Sequence, residues 1–274
     1  MSRLVRDPRS FDVVKMHGAE NAFVLLDERP PRFERYDDLA RTLCAPSSEV
    51  GGADGILVVR DAPGFAAEMR IFNADGSEAE MCGNGVRCVV RYLAERGAGD
   101  SFAIKTLAGP IAAEVVAPAP NFTARVDIGP VTFPRDLEAE CIDVAGQNYT
   151  FYDVSVGNPH AVVFCDDADT VDLGALGAAF ARHPRFPHGT NVHLVRVADE
   201  ATLEVRHFER GVGLTQACGT GVVAAAAAAI ALRGVRSPVT VRVPGGALVV
   251  DWARGERARL TGPAETTFAR SIDL

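Results

Sequence analysis

The pentapeptide Cys82-Gly83-Asn84-Gly85-Val86 returns as Cys218-Gly219-Thr220-Gly221-Val222, at an offset of 218 − 82 = 136 in a chain of 274 residues. Flanking residues repeat with it. Arg70 and Phe72 meet Arg206 and Phe208 at the same offset, and Asn21 meets Asn158 one residue further on. Asn21 and Asn158 each lead into an apolar run that closes on an aspartate, Asp27 and Asp166. A match at half the chain length confines the fold to two related halves, each carrying a strand, a Cys-Gly-x-Gly turn and a helix. The boundary is expected near residues 117–127, where Pro118 and Pro120 interrupt the pattern. This gives halves of 1–126 and 127–274, with the extreme C-terminus, about 262–274, a candidate to return to the first half.

Within each half the punctuation is that of short strands. Runs such as Ile56–Arg60, Phe102–Thr106, Thr123–Ile128, Thr150–Val156, Val192–Val197, Thr202–Phe208, Val239–Val243 and Arg257–Thr261 are rich in β-branched residues and bounded by Gly, Pro or Asp. Several alternate with period 2, as half-buried strands do. Helical periodicity is confined to Tyr36–Leu43, Leu173–Arg182 and the segments after the two Cys-Gly-x-Gly turns, Val86–Arg96 and Val222–Arg233. The last contains six consecutive alanines, Ala224–Ala229. A helix apolar on every side is buried on every side, and one this slim suits the middle of a shell built from strands.

Composition narrows the function. Lys and Arg total 28 against 36 Asp and Glu, a net charge of −8. That lacks the basic footprint of a nucleic-acid binder. The longest apolar run, Val222–Leu232, has 11 residues, where a membrane-spanning helix needs about 18–20. The N-terminus is too charged for a signal peptide, so a cytoplasmic location is expected. Six scattered cysteines in a chain of this size are read as reduced thiols rather than a disulfide framework.

The doubled turn has a definite chemical meaning. A cysteine at the start of a helix sits where free N–H groups and the helix dipole favour negative charge, which eases thiolate formation. The glycines behind it let an anionic ligand reach the backbone. If the halves present the two thiols to one small carboxylate-bearing ligand, one thiolate removes an α-proton and the other thiol returns a proton from the opposite side. Negative charge developing on the carboxylate is then held by the N–H groups of both helix starts. Inversion of a stereocentre next to a carboxylate is the reaction class this suits.

The residues around the turns carry a resemblance. The stretch Phe72-Asn73-Ala74-Asp75-Gly76-Ser77-Glu78-Ala79-Glu80-Met81-Cys82-Gly83-Asn84-Gly85-Val86-Arg87-Cys88 is similar to the first signature of the diaminopimelate epimerase family. Gly157-Asn158-Pro159-His160, Glu209-Arg210-Gly211 and Ala217-Cys218-Gly219-Thr220-Gly221 resemble the others. Met16-His17-Gly18, Gly52-Ala53-Asp54-Gly55 and Gly189-Thr190-Asn191-Val192 also fit in order, so the likeness spans nearly the whole chain. Three positions depart from the family's usual pattern: Glu20 and Ala22 around Asn21, and Leu214 where a glutamate is usual.

The resemblance implies an α+β fold of two pseudo-symmetric domains, each a mostly antiparallel, β-barrel-like sheet wrapped around a central α-helix. It implies a homodimeric isomerase that interconverts LL- and meso-diaminopimelate in lysine and peptidoglycan biosynthesis, with no cofactor: neither PLP nor a metal. Carried onto this sequence, Cys82 and Cys218 are the acid–base pair. His160 and Glu209 stand beside them to tune or relay protons, and Glu209 also borders the substrate. Asn73, Asn158, Asn191 and Arg210 hold the distal amino-carboxylate end, with Asn21 nearby. The N–H groups of Gly83, Asn84, Gly219 and Thr220 bind the reacting carboxylate.

Other readings stay open at this point. The same fold serves racemases of other amino acids, such as histidine or a hydroxyproline-like acid. A thiol hydrolase with Cys218 as nucleophile needs only one cysteine and an imidazole and leaves the second turn unexplained. A redox protein would use the two thiols as a disulfide pair. Cys44, Cys88, Cys141 and Cys165 are read as small core residues. His17 and His207 are read as core or surface histidines without a chemical role.

Overall fold

A computed structural model describes residues 10–273 of the chain. In chain order the first half runs β1 (Ser10–Gly18), β2 (Asn21–Asp27), α1 (Tyr36–Leu43), β3 (Gly55–Arg60), β4 (Ala67–Asn73), β5 (Glu78–Ala79), α2 (Gly83–Ala94), β6 (Ser101–Thr106) and β7 (Gly109–Ala117). The chain continues with β8 (Thr123–Pro130), β9 (Glu140–Val144), β10 (Gln147–Ser155), β11 (Pro159–Phe164), α3 (Leu173–Arg182), β12 (Asn191–Asp199), β13 (Thr202–Glu209), β14 (Gly213–Thr215) and α4 (Gly219–Arg233). The chain ends with β15 (Val239–Val243), β16 (Gly246–Asp251), β17 (Arg257–Pro263) and β18 (Glu265–Asp273).

Two compact units result. One comprises the described residues of Met1–Ala124 and Pro263–Leu274, the other Arg125–Gly262. In the first, β18 pairs antiparallel with β1, β1 with β2, and β3 with β4, while β2 pairs parallel with β3. β4 then pairs parallel with β6, which turns back antiparallel into β7. The sheet packs around α2, which lies against β1, β2, β3, β4 and β7. Arg87 Nε donates to the Pro263 carbonyl at 3.0 Å and Arg91 Nη1 to that of Ala264 at 2.6 Å, so α2 fastens the chain at the entry to β18.

The second unit repeats the plan. β10 pairs antiparallel with β11, β11 parallel with β12, β12 antiparallel with β13, and β13 parallel with β15, which turns back into β16. β9 extends this ladder beyond β10, and β17 and β8 extend it beyond β16. The repetition reaches the register. Ile56 faces Phe72 and Val58 faces Arg70 across β3–β4, and at the offset of 136 Val192 faces Phe208 and Leu194 faces Arg206 across β12–β13. α4 packs against β10, β11, β12, β13, β15 and β16, with every residue from Gly221 to Ala229 buried. Its alanines add no bulk, so strands approach on all sides.

The architecture is therefore α+β, mostly sheet, in two related units each wrapped around a central helix. Among the described residues neither ladder closes on itself, so each is an open curved sheet rather than a barrel. No helix among the described residues is long and apolar enough to cross a membrane. The helices α1 and α3 match the sequence expectation, but α2 and α4 begin three residues earlier than the apolar periodicity does, at Gly83 and Gly219. Both glycines therefore lie inside the first turn, which places each cysteine at the N-cap.

Candidate active-site residues

In the first unit Asn21 and Asn84 lie with Cys82 at the start of α2. Cys82 is its N-cap, in an extended conformation (φ −144°, ψ 117°). Its Sγ donates to Asn21 Oδ1 at 3.8 Å, and Asn84 Nδ2 donates to the same oxygen at 3.3 Å. Asn21 opens β2 and is held in turn by Asp54, whose carboxylate accepts from Asn21 Nδ2 at 2.8 Å and from the Ala22 N–H at 2.7 Å. Asn84 is buried, and its Oδ1 accepts from Arg87 Nη2 at 2.8 Å. Asn73 ends β4 on the surface and donates to Ser77 Oγ at 2.9 Å.

Arg87 was not singled out by the sequence reading. It is fully buried, and burial lowers its pKa from the usual arginine value. Its guanidinium is spread over three oxygens: those of Asn84 and Pro263, and more distantly the Gly83 carbonyl at 3.5 Å. The signal for it is a charged residue one turn into the helix, set between Val86 and Cys88.

In the second unit Cys218 is the N-cap of α4, again extended (φ −122°, ψ 108°). Burial and the neighbouring Glu209 carboxylate push its pKa well above the ordinary thiol value, while the Gly221 N–H and the Thr220 hydroxyl pull the other way. Thr220 Oγ1 lies 3.7 Å from the sulfur and accepts from Asn158 Nδ2 at 3.4 Å. Asn191 is committed to the backbone on both sides: its Nδ2 donates to the Pro159 carbonyl at 2.9 Å, and its Oδ1 accepts from the Arg210 N–H at 3.0 Å. It thereby ties the Gly157–His160 turn to Arg210. The Arg210 guanidinium donates to the His188 carbonyl at 3.1 Å.

His160 is fully buried. Burial, with the nearby His207 and Arg210, pushes its pKa down to about 3. Its two ring nitrogens are both engaged at 2.8 Å, Nε2 with Asn158 Oδ1 and Nδ1 with His193 Nε2. His193 Nδ1 meets His207 Nδ1, also at 2.8 Å. His207 is expected without a chemical role, and nothing in the sequence marks His193. Both are buried, and burial keeps them neutral: His207 is lowered to about 3, and His193 falls well below the ordinary value with its two imidazole neighbours contributing.

The remaining cysteines divide. Burial pushes the Cys44 and Cys88 thiols up to about 12, as befits inert core residues, and Cys165 is raised by burial too. Cys141, expected in the core, is exposed on β9 with its sulfur 3.7 Å from Thr150 Oγ1. The strand's alternation puts Ile142 rather than Cys141 on the buried face.

A family model described as diaminopimelate epimerase matches residues 13–134 and 152–267. A protein named diaminopimelate epimerase from Desulfitobacterium hafniense is 40% identical over 273 residues, covering 94% of this chain and 96% of the relative. One of the same name from Methanothermobacter thermautotrophicus is 40% identical over 254 residues, covering 86% of this chain and 88% of the relative. Among solved structures, a phenazine biosynthesis protein of the PhzF family from Bacillus anthracis superposes with a TM-score of 0.74 at 16% identity, over 97% of this chain and 99% of that one. A hydroxyproline epimerase from Agrobacterium vitis superposes with a TM-score of 0.69 at 16% identity, over 96% and 91%. These two share the fold.

Proposed function

The chain belongs to the diaminopimelate epimerase family, and we propose that it interconverts LL- and meso-2,6-diaminopimelate with Cys82 and Cys218 as the acid–base pair. One observation carries this reading: the two cysteines occupy the same N-cap position in two repeated units, each followed by Gly-x-Gly in the first helical turn. A one-base or nucleophilic enzyme has no use for the second copy.

The mechanism follows from the chemistry. One thiolate takes the α-hydrogen as a proton, breaking the C–H bond and leaving the electron pair on the α-carbon, delocalised into the carboxylate. The other cysteine delivers its S–H proton to the opposite face, and the thiol and thiolate have exchanged places. The backbone N–H groups of Gly83, Asn84, Gly219 and Thr220 hold the carboxylate as its charge grows. Burial and Glu209 favour the protonated form of Cys218, so it serves as the resting acid. His160, neutral and fixed between Asn158 and His193, reaches this acid through Asn158 and Thr220 and does not act as a cation. Arg210 binds the distal amino-carboxylate, for which a guanidinium is a matched partner; Asn73, Asn158 and Asn191 border the same end, Asn158 and Asn191 through the bonds they make within the protein, with Asn21 nearby. In this reading the enzyme is a cytoplasmic homodimer that serves lysine and peptidoglycan biosynthesis.

The test is a substrate panel. LL-diaminopimelate should give meso-diaminopimelate in the presence of a metal chelator and of a carbonyl reagent that inactivates PLP enzymes. Histidine, proline and hydroxyproline should not be racemised. Turnover of any of these three with diaminopimelate inert would replace this substrate with another on the same fold.

A further inference from the structure

The three buried histidines form one continuous hydrogen-bonded path with Asn158 and Thr220, and its polarity is determined. Asn158 turns its Oδ1, which can only accept, toward His160 Nε2, and its Nδ2, which can only donate, toward Thr220 Oγ1. His160 must then carry its proton on Nε2, so its Nδ1 accepts from His193 Nε2–H at 2.8 Å. His193 Nδ1 is left to accept from His207 Nδ1–H at 2.8 Å. At the other end, the Thr220 hydroxyl accepts from Asn158 and has the Cys218 sulfur, 3.7 Å away, as the place to send its own hydrogen. Every donor along the path points the same way, from His207 toward Cys218.

The opposite polarity is the worse alternative. It would reverse the Asn158 carboxamide, turn the Thr220 hydroxyl away from the sulfur, and leave a buried N–H without an acceptor at His207 Nε2. In the polarity assigned here His207 Nε2, which is buried without a hydrogen-bond partner, is a bare acceptor, the less costly orphan.

The repeat shows that the path is an addition to the fold. At the offset of 136 the first unit has Leu57 where the second has His193, and Ile71 where it has His207; one residue further on, Phe23 stands where His160 does. The first unit fills this space with hydrocarbon, and Leu57 and Ile71 are both buried. Three imidazoles are thus not needed to pack a sheet against the Cys-Gly-x-Gly helix, and the second unit holds them at the cost of desolvation.

We infer that His193 and His207 are positioning residues which, through His160, Asn158 and Thr220, keep a hydroxyl donor aimed at the Cys218 sulfur. The inference rests on the epimerase reading for its purpose: Cys218 becomes a thiolate when it gives up its proton, and a donor already oriented stabilises that charge without reorganisation. The groups facing the sulfur are Glu209 from β13 and Thr220 with the Gly221 N–H from α4; Glu209 opposes the thiolate and the other two favour it. The groups facing the path are the three imidazoles themselves and Arg210 beside His160.

The test uses two readouts that do not depend on turnover. In protein labelled with ¹⁵N-histidine, long-range proton–nitrogen spectra at pH 7 should show three neutral rings, His160 and His193 as Nε2–H tautomers and His207 as the Nδ1–H tautomer. A His207 ring protonated on Nε2, or any of the three charged, overturns the assignment. The second readout is peptide-resolved alkylation of Cys218 against pH. The double variant His193→Leu with His207→Ile copies the packing of the first unit and so should fold. Its Cys218 labelling at a fixed pH should fall on the order of tenfold, one pKa unit, with Cys82 labelling unchanged. Thr220→Val should give the same fall and Thr220→Ser should not. Unchanged Cys218 labelling in the double variant overturns the inference. If both readouts come out as expected and diaminopimelate is not epimerised, the path stands and the proposed reaction is what fails.

Discussion

The imidazole of His193 lies directly over the α-carbon of Gly221: a Cβ added there would meet His193 Cε1 at 2.4 Å, Nε2 at 2.8 Å and Nδ1 at 2.9 Å. At the repeated position of the first unit, a Cβ on Gly85 would meet Leu57 Cδ2 at 2.8 Å. The second glycine of each turn is there because a side chain from the neighbouring strand occupies the space, and the two units fill that space with opposite chemistry.

The two glycines should therefore respond differently to alanine. Leu57 can turn its terminal methyl aside, whereas His193 is pinned by hydrogen bonds at both ring nitrogens. Gly221→Ala should destabilise the protein by about 2–3 kcal/mol and Gly85→Ala by about 1 kcal/mol or less, read from urea midpoints at constant m-value. Equal costs would mean that the imidazole is not held.

Acid should weaken the protein in a window set by the buried histidines. Their folded-state pKa values lie far below the ordinary 6.5, at about 3 for His160 and His207. The unfolded chain binds protons that the folded chain refuses. The stability is thus fully present above about pH 6.5 and declines as pH falls toward 3, on the order of 1 kcal/mol per pH unit for each histidine. Urea midpoints at pH 7, 6 and 5 should fall steadily, and the His193→Leu, His207→Ile variant should lose about a third as much. Asp27, Asp37 and Asp75 have lowered pKa values and add their own acid sensitivity only below the ordinary carboxylate range.

Arg87 should prove irreplaceable by lysine. Its three oxygen partners lie in different directions around one planar guanidinium, and a single ammonium cannot reach them all. Arg87→Met should cost about 2–4 kcal/mol through the buried carboxamide and part-buried carbonyl it leaves unpaired, and Arg87→Lys should recover less than half of that. Denaturation monitored by far-ultraviolet circular dichroism measures both.

Much of this was legible in the sequence, because the repeat is written in residues with few alternatives. Two cysteines, each followed by Gly-x-Gly, fixed the offset, and the register of β3–β4 and β12–β13 obeys it residue by residue. The strands β1, β4 and β18 were harder to see. Their runs carry charge, as in Ala67–Asn73 and Glu265–Asp273, where Glu68, Arg70 and Arg270 occupy outward positions. The C-terminal strand joins the first unit through pairing with β1. His193 carries no signal in the sequence and His207 none beyond that of a core or surface histidine, because each looks like an ordinary polar residue within a strand. Only their alignment with Leu57 and Ile71 marks them as inward-facing, and only the fold brings them to His160.

The central claim is that two cysteines work on one carbon, and proton exchange tests it most directly. LL-diaminopimelate incubated in D₂O with the enzyme and without PLP should yield meso-diaminopimelate carrying one deuterium at the inverted centre, and Cys82→Ala and Cys218→Ala should each reduce inversion to background. Inversion at the wild-type rate by either variant, or inversion without deuterium from solvent, would contradict the account.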